Sequence, residues 1–329
     1  MQTISGDLNK MKCSFFVTSH LKQANTETTS GDQLREKIQK WLSPPDPSIN
    51  HNTAYEAHHD GTATWFLEGS IYNEWKEAGS LLWAHGNRKV SIIFPPLLLM
   101  SFVAGSGKSI LWWVISEMSL STSLILVTSS SIIKDIESIR ATGLASVAYY
   151  YFDFKDTRKQ DRRGLLSSLL IQLCTRSHRG YDILSSLYEA HENGSRQPNE
   201  VDLIQCLKNV LALPGHGRAY IIVDAIDESP NKPGIPSPRE KVLRLMKELV
   251  DSRLRDVRVC ITSRPEVDIR TVLGPLSSQA VSLHDEGGQM GDIINYIKWV
   301  VESDTNMRRW RPEDRQLAID SLSQKANGM

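Results

Sequence analysis

The stretch YIIVDAIDES, Tyr220–Ser229, read beside AGSGKS, Ala104–Ser109, decides the fold. Tyr220–Val223 is an unbroken apolar run, the pattern of a strand buried on both faces of a parallel sheet. Asp224 then falls at the strand's carboxyl end, where open α/β sheets bind their ligands. Asp227 and Glu228 follow on the next turn. In the second stretch Gly105 and Gly107, with Ser106 between them, let the backbone approach a phosphate chain and turn its N–H groups inward. Lys108 is placed to reach the β- and γ-phosphates, and the Ser109 hydroxyl to hold Mg²⁺ beside Asp224. Alone, GSGKS also fits an ordinary flexible loop. The acidic strand downstream turns it into half of a nucleotide site.

The phosphate loop is broken at one place. The pattern G-x-x-x-x-G-K-[ST] needs a glycine at 102, where the chain has Phe102. The preceding residues, Val90–Val103, are apolar and contain Pro95 and Pro96. Just before them stands SLLWAHGN, Ser80–Asn87, a strand ending as the lead-in to such a loop should. An intron translated into the chain reconciles these facts. If codon 88 is CGT and codon 89 AAG, a GTAAG donor opens there, and a GTA codon for Val103 followed by G gives a TAG acceptor. Removal keeps the frame and yields HGN-Pro-GSGKS, in which Gly86 is the missing first glycine and Asn87 is part of the loop. A second in-frame cut, from Trp112 into Ser129, yields GKSIL-Cys-SSIIKDIESI. It restores one amphipathic helix with Ile132, Ile133, Ile136 and Ile139 on one side. The plain alternatives are a genuine insertion over 90–103 and a β-strand at Ser123–Thr128. The untypical segments are thus 88–103 and 113–129.

Composition agrees with an α/β enzyme-like core. At 329 residues the chain holds one large or two ordinary domains. Its formal net charge of zero carries no bulk footprint for nucleic acid or an anionic membrane. The longest apolar run is too short for a membrane span and is interrupted by prolines. Cys13, Cys174, Cys206 and Cys260 are scattered without metal-ligand spacing, as buried thiols in a reducing, cytoplasmic compartment would be. No signal peptide opens the chain. The Asn193-Gly194-Ser195 sequon reads as a turn.

Residues 1–31 are polar and read as a flexible lead-in. A helical extension is expected over 32–79. It opens with one apolar face, Leu34, Ile38, Trp41 and Leu42, stopped by Pro44 and Pro45. A loop rich in His, Asn and Thr follows. Trp65–Ala78 is expected to be one helix with Phe66, Ile71 and Trp75 inward. The core, 80–285, has strand candidates at Leu81–Ala84, Val147–Phe154, Tyr220–Val223, Val257–Thr262 and Ala280–Leu283. Helices between them are expected at Gly164–Thr175, Pro198–Leu213 and from the capping box Ser237-Pro238-Arg239-Glu240 to about Leu254. Strands alternating with helices predict a parallel sheet covered on both faces. Two last helices, about Gly291–Ser303 and Pro312–Lys325, open a helical subdomain over 286–329.

Among the remaining polar groups, the five basic residues of Lys155–Arg163 read as a solvated loop, with contact to phosphate as the sharper alternative. The nine histidines show no zinc spacing. Trp65, Trp75 and Trp83 read as core. The strand VRVCITSRP, Val257–Pro265, ends in Thr262, Ser263 and Arg264. A basic residue there can face a γ-phosphate. The bland alternative pairs Arg264 with Glu266 on the surface.

Taken together, WFLEGSIYNEWKEAGSLLWAHGN (65–87), AGSGKS, SVAYYYFDFKDTRKQDRRGLLSSLLIQLC (146–174), AYIIVDAIDE (219–228) and VCITSRPEVDI (259–269) resemble the NACHT class of STAND signalling P-loop NTPases, most of all its large fungal group. The resemblance spans roughly 32–329 apart from the two untypical segments. It implies a three-layer P-loop NTPase fold and a D-x-h-D-E strand motif at Asp224–Glu228. It also implies a switch that binds ATP or GTP with Mg²⁺, self-associates, releases an effector partner and resets by slow hydrolysis. Asp227 or Glu228 would orient water, while Lys108 and Arg264 spread developing charge. Two departures stand out: the displaced first glycine, and an end at Met329 where members of the class continue. The alternatives are a non-catalytic scaffold fragment and a metabolic P-loop kinase, whose only lid candidate is Lys155–Arg163.

Overall fold

The protein is described by a computed structural model covering residues 31–56, 63–86, 120–175, 177–214, 217–232, 236–283, 287–303, 305 and 307–327. Five parallel strands form the centre: β1 Leu81–His85, β2 Ala145–Tyr151, β3 Arg218–Asp224, β4 Val257–Ser263 and β5 Gln279–Ser282. Their order is β2-β3-β4-β1-β5. Each lies within two or three residues of its expected position, because a strand buried on both faces advertises itself as an apolar run.

Alternation along each strand divides the core in two. Leu81, Trp83, Ile221, Val223, Val259 and Ile261 face one layer; Leu82, Ala84, Tyr220, Ile222 and Cys260 face the other. The first layer holds α1 (31–42), α6 (Arg162–Cys174), α7 (His178–Ala190), α8 (Glu200–Leu211), α9 (Pro238–Asp251) and α10 (Val267–Leu273), and it is mostly aliphatic. The second mixes aromatic and aliphatic side chains. Phe66 of α3 (Thr64–Glu68), with Tyr72 and Trp75 of α4 (Ser70–Glu77), packs there beside Ile132, Ile133 and Ile136 of α5 (Leu120–Ala141). Helices on both faces of a parallel sheet make this a three-layer α/β fold of the P-loop NTPase kind.

Caps explain several helix starts. Asn199 and Asp202 form a reciprocal capping box at α8. The Ser237 hydroxyl accepts the Glu240 N–H at 3.1 Å, with Pro238 in the first turn of α9. Beyond the sheet, α11 (Gly287–Ser303) and α12 (Pro312–Asn327) follow as expected.

Four local expectations are corrected. Residues 65–78 form two helices, because Gly69 adopts an extended conformation between them (φ −63°, ψ 144°). The break rotates the second segment, so Tyr72 rather than Ile71 is buried with Trp75, whose Nε1–H donates to Val259 O at 3.0 Å. The His- and Asn-rich loop contains α2, Ser48–Glu56, seated by a bond between His51 Nδ1 and the Tyr151 hydroxyl at 3.1 Å. Ser123–Thr128 lies inside α5, whose helical backbone continues without a break into the segment carrying Ile132 and Ile136, so it is not a strand. Lys155–Arg163 is not simply solvated. Lys159 is buried against Asn50, and Arg162 pairs with Glu200 through Nε at 3.0 Å.

Candidate functional site

The chain leaves β1 through α5 toward β2, crossing β4 and β3, but leaves β4 through α10 in the opposite sense, crossing β1 to reach β5. The connections therefore diverge between β1 and β4. Open α/β sheets bind ligands in the crevice above such a switch point. Gly86 follows β1 there, and its N–H donates to Ser263 O at 3.2 Å, tying the ends of β1 and β4 together. Arg264 leaves β4 one residue later.

The carboxyl end of β3 supplies the acids. Asp224 is its last residue and is 2% exposed. Its Oδ1 accepts hydrogen bonds from the Ser129 hydroxyl of α5 and the Thr262 hydroxyl of β4. Burial pushes the Asp224 carboxyl up to about 6, against the pull of those two donors and with a push from Asp227. Thr262 Oγ1 also accepts the Ala225 N–H at 3.1 Å. That bond clamps Ala225 in the left-handed conformation, φ 53°, which side-chain-bearing residues seldom adopt. The small side chain at 225 limits the strain, and the turn points Ile226–Glu228 back across the sheet edge as a 3₁₀ turn.

Asp227 is buried and bound to Arg264. Its Oδ1 accepts the Arg264 N–H at 3.1 Å, and its Oδ2 lies 3.2 Å from the Arg264 Nε. The surface pair imagined between Arg264 and Glu266 does not form this way: Glu266 is held by Arg239. The buried Arg239 guanidinium also reaches the carbonyls of Asp227 and Ser229 and lies 3.4 Å from Asp268. Glu228 takes a different position. Its Oε2 accepts the Phe154 N–H at 3.2 Å. Burial pushes its carboxyl up to about 7; the Phe154 bond pulls back, and Asp227, Asp224 and Asp153 push further.

Of the residues expected in the site, Gly86, Asp224, Asp227, Glu228 and Arg264 thus meet at one edge of the sheet. Asn87, Gly105, Ser106, Gly107, Lys108 and Ser109 lie outside the described residues, as do the junctions of the two excisions at 88, 103 and 112. Thr262, Ser129 and Arg239 were not read as site residues. Thr262 could have been found as the polar residue ending an apolar strand. Arg239 shows in the sequence only as part of a helix start.

Asp224 is the acid at this end that could hold a divalent cation beside phosphates, although among the described residues no group of three or more potential metal ligands gathers. Asp224 is a buried carboxyl and Glu228 a half-buried one whose ionisation the fold resists, and an added positive charge relieves that cost. Asp224 Oδ1 already takes both recorded hydrogen bonds, which leaves Oδ2 as the oxygen available to a cation.

No curated protein matches the chain. Residues 94–264 match the family model described as nephrocystin 3, N-terminal; the match begins downstream of β1 and ends at Arg264. It covers just over half of the chain, which therefore belongs to the nephrocystin 3 N-terminal family.

Proposed function

We propose that the chain is a nucleotide-binding switch of the NACHT type, taking ATP or GTP with Mg²⁺ and hydrolysing it slowly to govern self-association and release of an effector. The observation that carries this reading is the meeting of Asp224, Glu228 and the Asp227–Arg264 pair with Gly86 above the switch point of a parallel sheet. Lys108, Ser109 and Asp224 would hold the nucleotide's phosphates and Mg²⁺, which supply the electrophilic phosphorus and neutralise its charge. Glu228, with a carboxyl held near neutrality, suits a base that takes a proton from water. Asp227 positions Arg264, so a phosphate reaching Arg264 competes with an existing ion pair, and that exchange distinguishes two states. The packing of Lys159 and Arg162 argues against a kinase lid at Lys155–Arg163.

The spacing around Asp224 favours the rejoined sequence. Ser129 contacts Asp224 from within α5, nine residues after the helix begins at Leu120, so roughly 14 Å of helix precede the contact. A phosphate loop opening directly into this helix needs its Ser within about one turn of that point. In the rejoined text the new Cys takes the place of Ser129, and Ser109 stands one turn before it. In the chain as written Ser109 precedes Ser129 by twenty positions in the sequence, 129 − 109.

The deciding experiment compares the 329-residue chain with the form reading HGN-Pro-GSGKSIL-Cys-SSII. The rejoined form is expected to bind ATP–Mg²⁺ in calorimetry and stay soluble. The longer chain is expected to bind poorly and aggregate, through the apolar run Leu97–Met100. Equal solubility and equal affinity would remove the splicing reading. Absence of binding by a folded rejoined form would remove the switch itself.

A further inference from the structure

Among the described strands β2 is an edge. Its even-numbered residues face β3: Phe152 donates to Asp224 O, and Leu144 O accepts from Arg218. By alternation the N–H and C=O groups of Ala145, Val147 and Tyr149 point away from the sheet. At Tyr149 that outward pair is closed by one side chain. The Gln172 amide donates to Tyr149 O at 2.8 Å and accepts the Tyr149 N–H at 3.0 Å. Ser168 steadies the amide at 3.0 Å. Gln172 therefore reproduces one rung of strand pairing.

Among the described residues no such clip stands beside Ala145 and Val147. A groove of about 780 Å³ runs along them instead, between the end of α5 and the corner from α6 to α7. Its charged lining is Arg140 and Arg179 against Glu137, which already pairs with Arg140 at 3.1 Å; the His178 ring also lines it. Leu144, at the start of the strand, is 69% exposed, an unusual place for a large apolar side chain. Open edges are normally blunted by charge, proline or a cover. Here the backbone faces a groove in which Arg179 is the basic group outside the Arg140–Glu137 pair.

We propose that the β2 edge at Ala145–Val147 receives an extended, carboxylate-bearing segment of a partner protein as an added strand. The outward backbone groups supply register-setting hydrogen bonds, Gln172 marks where the added strand must stop, and Arg179 with His178 selects acidic side chains. This surface lies at the amino end of β2, away from the carboxyl-end acids, so the inference stands independently of nucleotide binding.

The probe is a fluorescein-labelled capped peptide, Glu-Val-Glu-Val-Glu-Val, with Lys-Val-Lys-Val-Lys-Val as control, titrated against the full chain by anisotropy. Saturable binding of the acidic peptide alone is expected. Val147→Pro should weaken it at least about tenfold, since proline is tolerated where an edge N–H points outward but cannot pair with a new strand. Arg179→Glu, on the surface, should weaken it about threefold to tenfold. If Val147→Pro does not fold, hydrogen exchange of the parent protein decides: the Val147 amide should gain protection when the acidic peptide is added. Absent or charge-blind binding, full binding by the folded proline variant, or an unchanged Val147 amide would each overturn the proposal.

Discussion

The carboxyl ends of β3 and β1 lie in the same crevice but are held differently. At β3, Asp224, Ala225 and Asp227 are locked by Thr262, Ser129, Arg264 and Arg239, all on elements that also build the core. At β1, the Gly86 N–H donates to Ser263 O, and the residues that follow, 87–119, lie outside the described ones. The acidic half is thus prearranged by the sheet and its neighbours. The phosphate-loop half depends on the sequence that follows Gly86, where the chain departs from the pattern. The proposed site thus joins a half fixed by the sheet to a half read from the sequence, and substitution tests each separately.

The sharpest test of the fixed half is Glu228→Gln in the rejoined form. It should retain ATP affinity while turnover falls about 10²- to 10⁴-fold, the usual worth of a positioned base. Phosphate release at the parent rate would pass the role to another group. Next comes Arg239→Ala, which strips a buried guanidinium from Glu266, Asp268 and two carbonyls. Urea denaturation should show a loss of about 3–5 kcal/mol. A loss below about 1 kcal/mol would mean that the β3 end is not braced from α9.

On the sequence-dependent half, Lys108→Ala in the rejoined form should weaken ATP binding about 30- to 150-fold, or roughly 2–3 kcal/mol, with stability unchanged. Unchanged affinity would break the phosphate-loop assignment. The smallest effect concerns Asp224→Asn. Because burial raises the Asp224 carboxyl from an ordinary 3.8 to about 6, its protonated form suits the fold. Stability is then greatest below about pH 4 as far as this group is concerned, and declines as pH rises through 6. Removing the charge should add about 3 kcal/mol to ligand-free stability at pH 8 and little at pH 4, while Mg²⁺-dependent binding is weakened. A thermal-melt difference independent of pH would show that the carboxyl is not ionising inside the fold.

Strand positions and the acids were legible in the sequence because each depends on neighbouring residues: an apolar run followed at once by Asp224, or a strand followed at once by Arg264. The interruption at Gly69 was not, because a glycine in a helical pattern is compatible with both continuation and a break. Nor was the role of Asp227. A carboxylate in that position looks equally ready for water or for a cation, and its pairing with Arg264, which arrives from the end of β4, is not visible in the sequence.

The sequence by itself determined a parallel α/β sheet, an acidic strand end and the departure from the phosphate-loop pattern before Gly105, since all three are local patterns of residue type. Tertiary structure alone decided that Thr262 holds both Asp224 and Ala225, that Arg239 braces the turn from α9, and that β2 keeps an open edge beside Arg179. Those arrangements join residues far apart in the chain. Whether a hydroxyl or guanidinium finds its partner depends on the sheet's strand order and on burial, which no local pattern specifies.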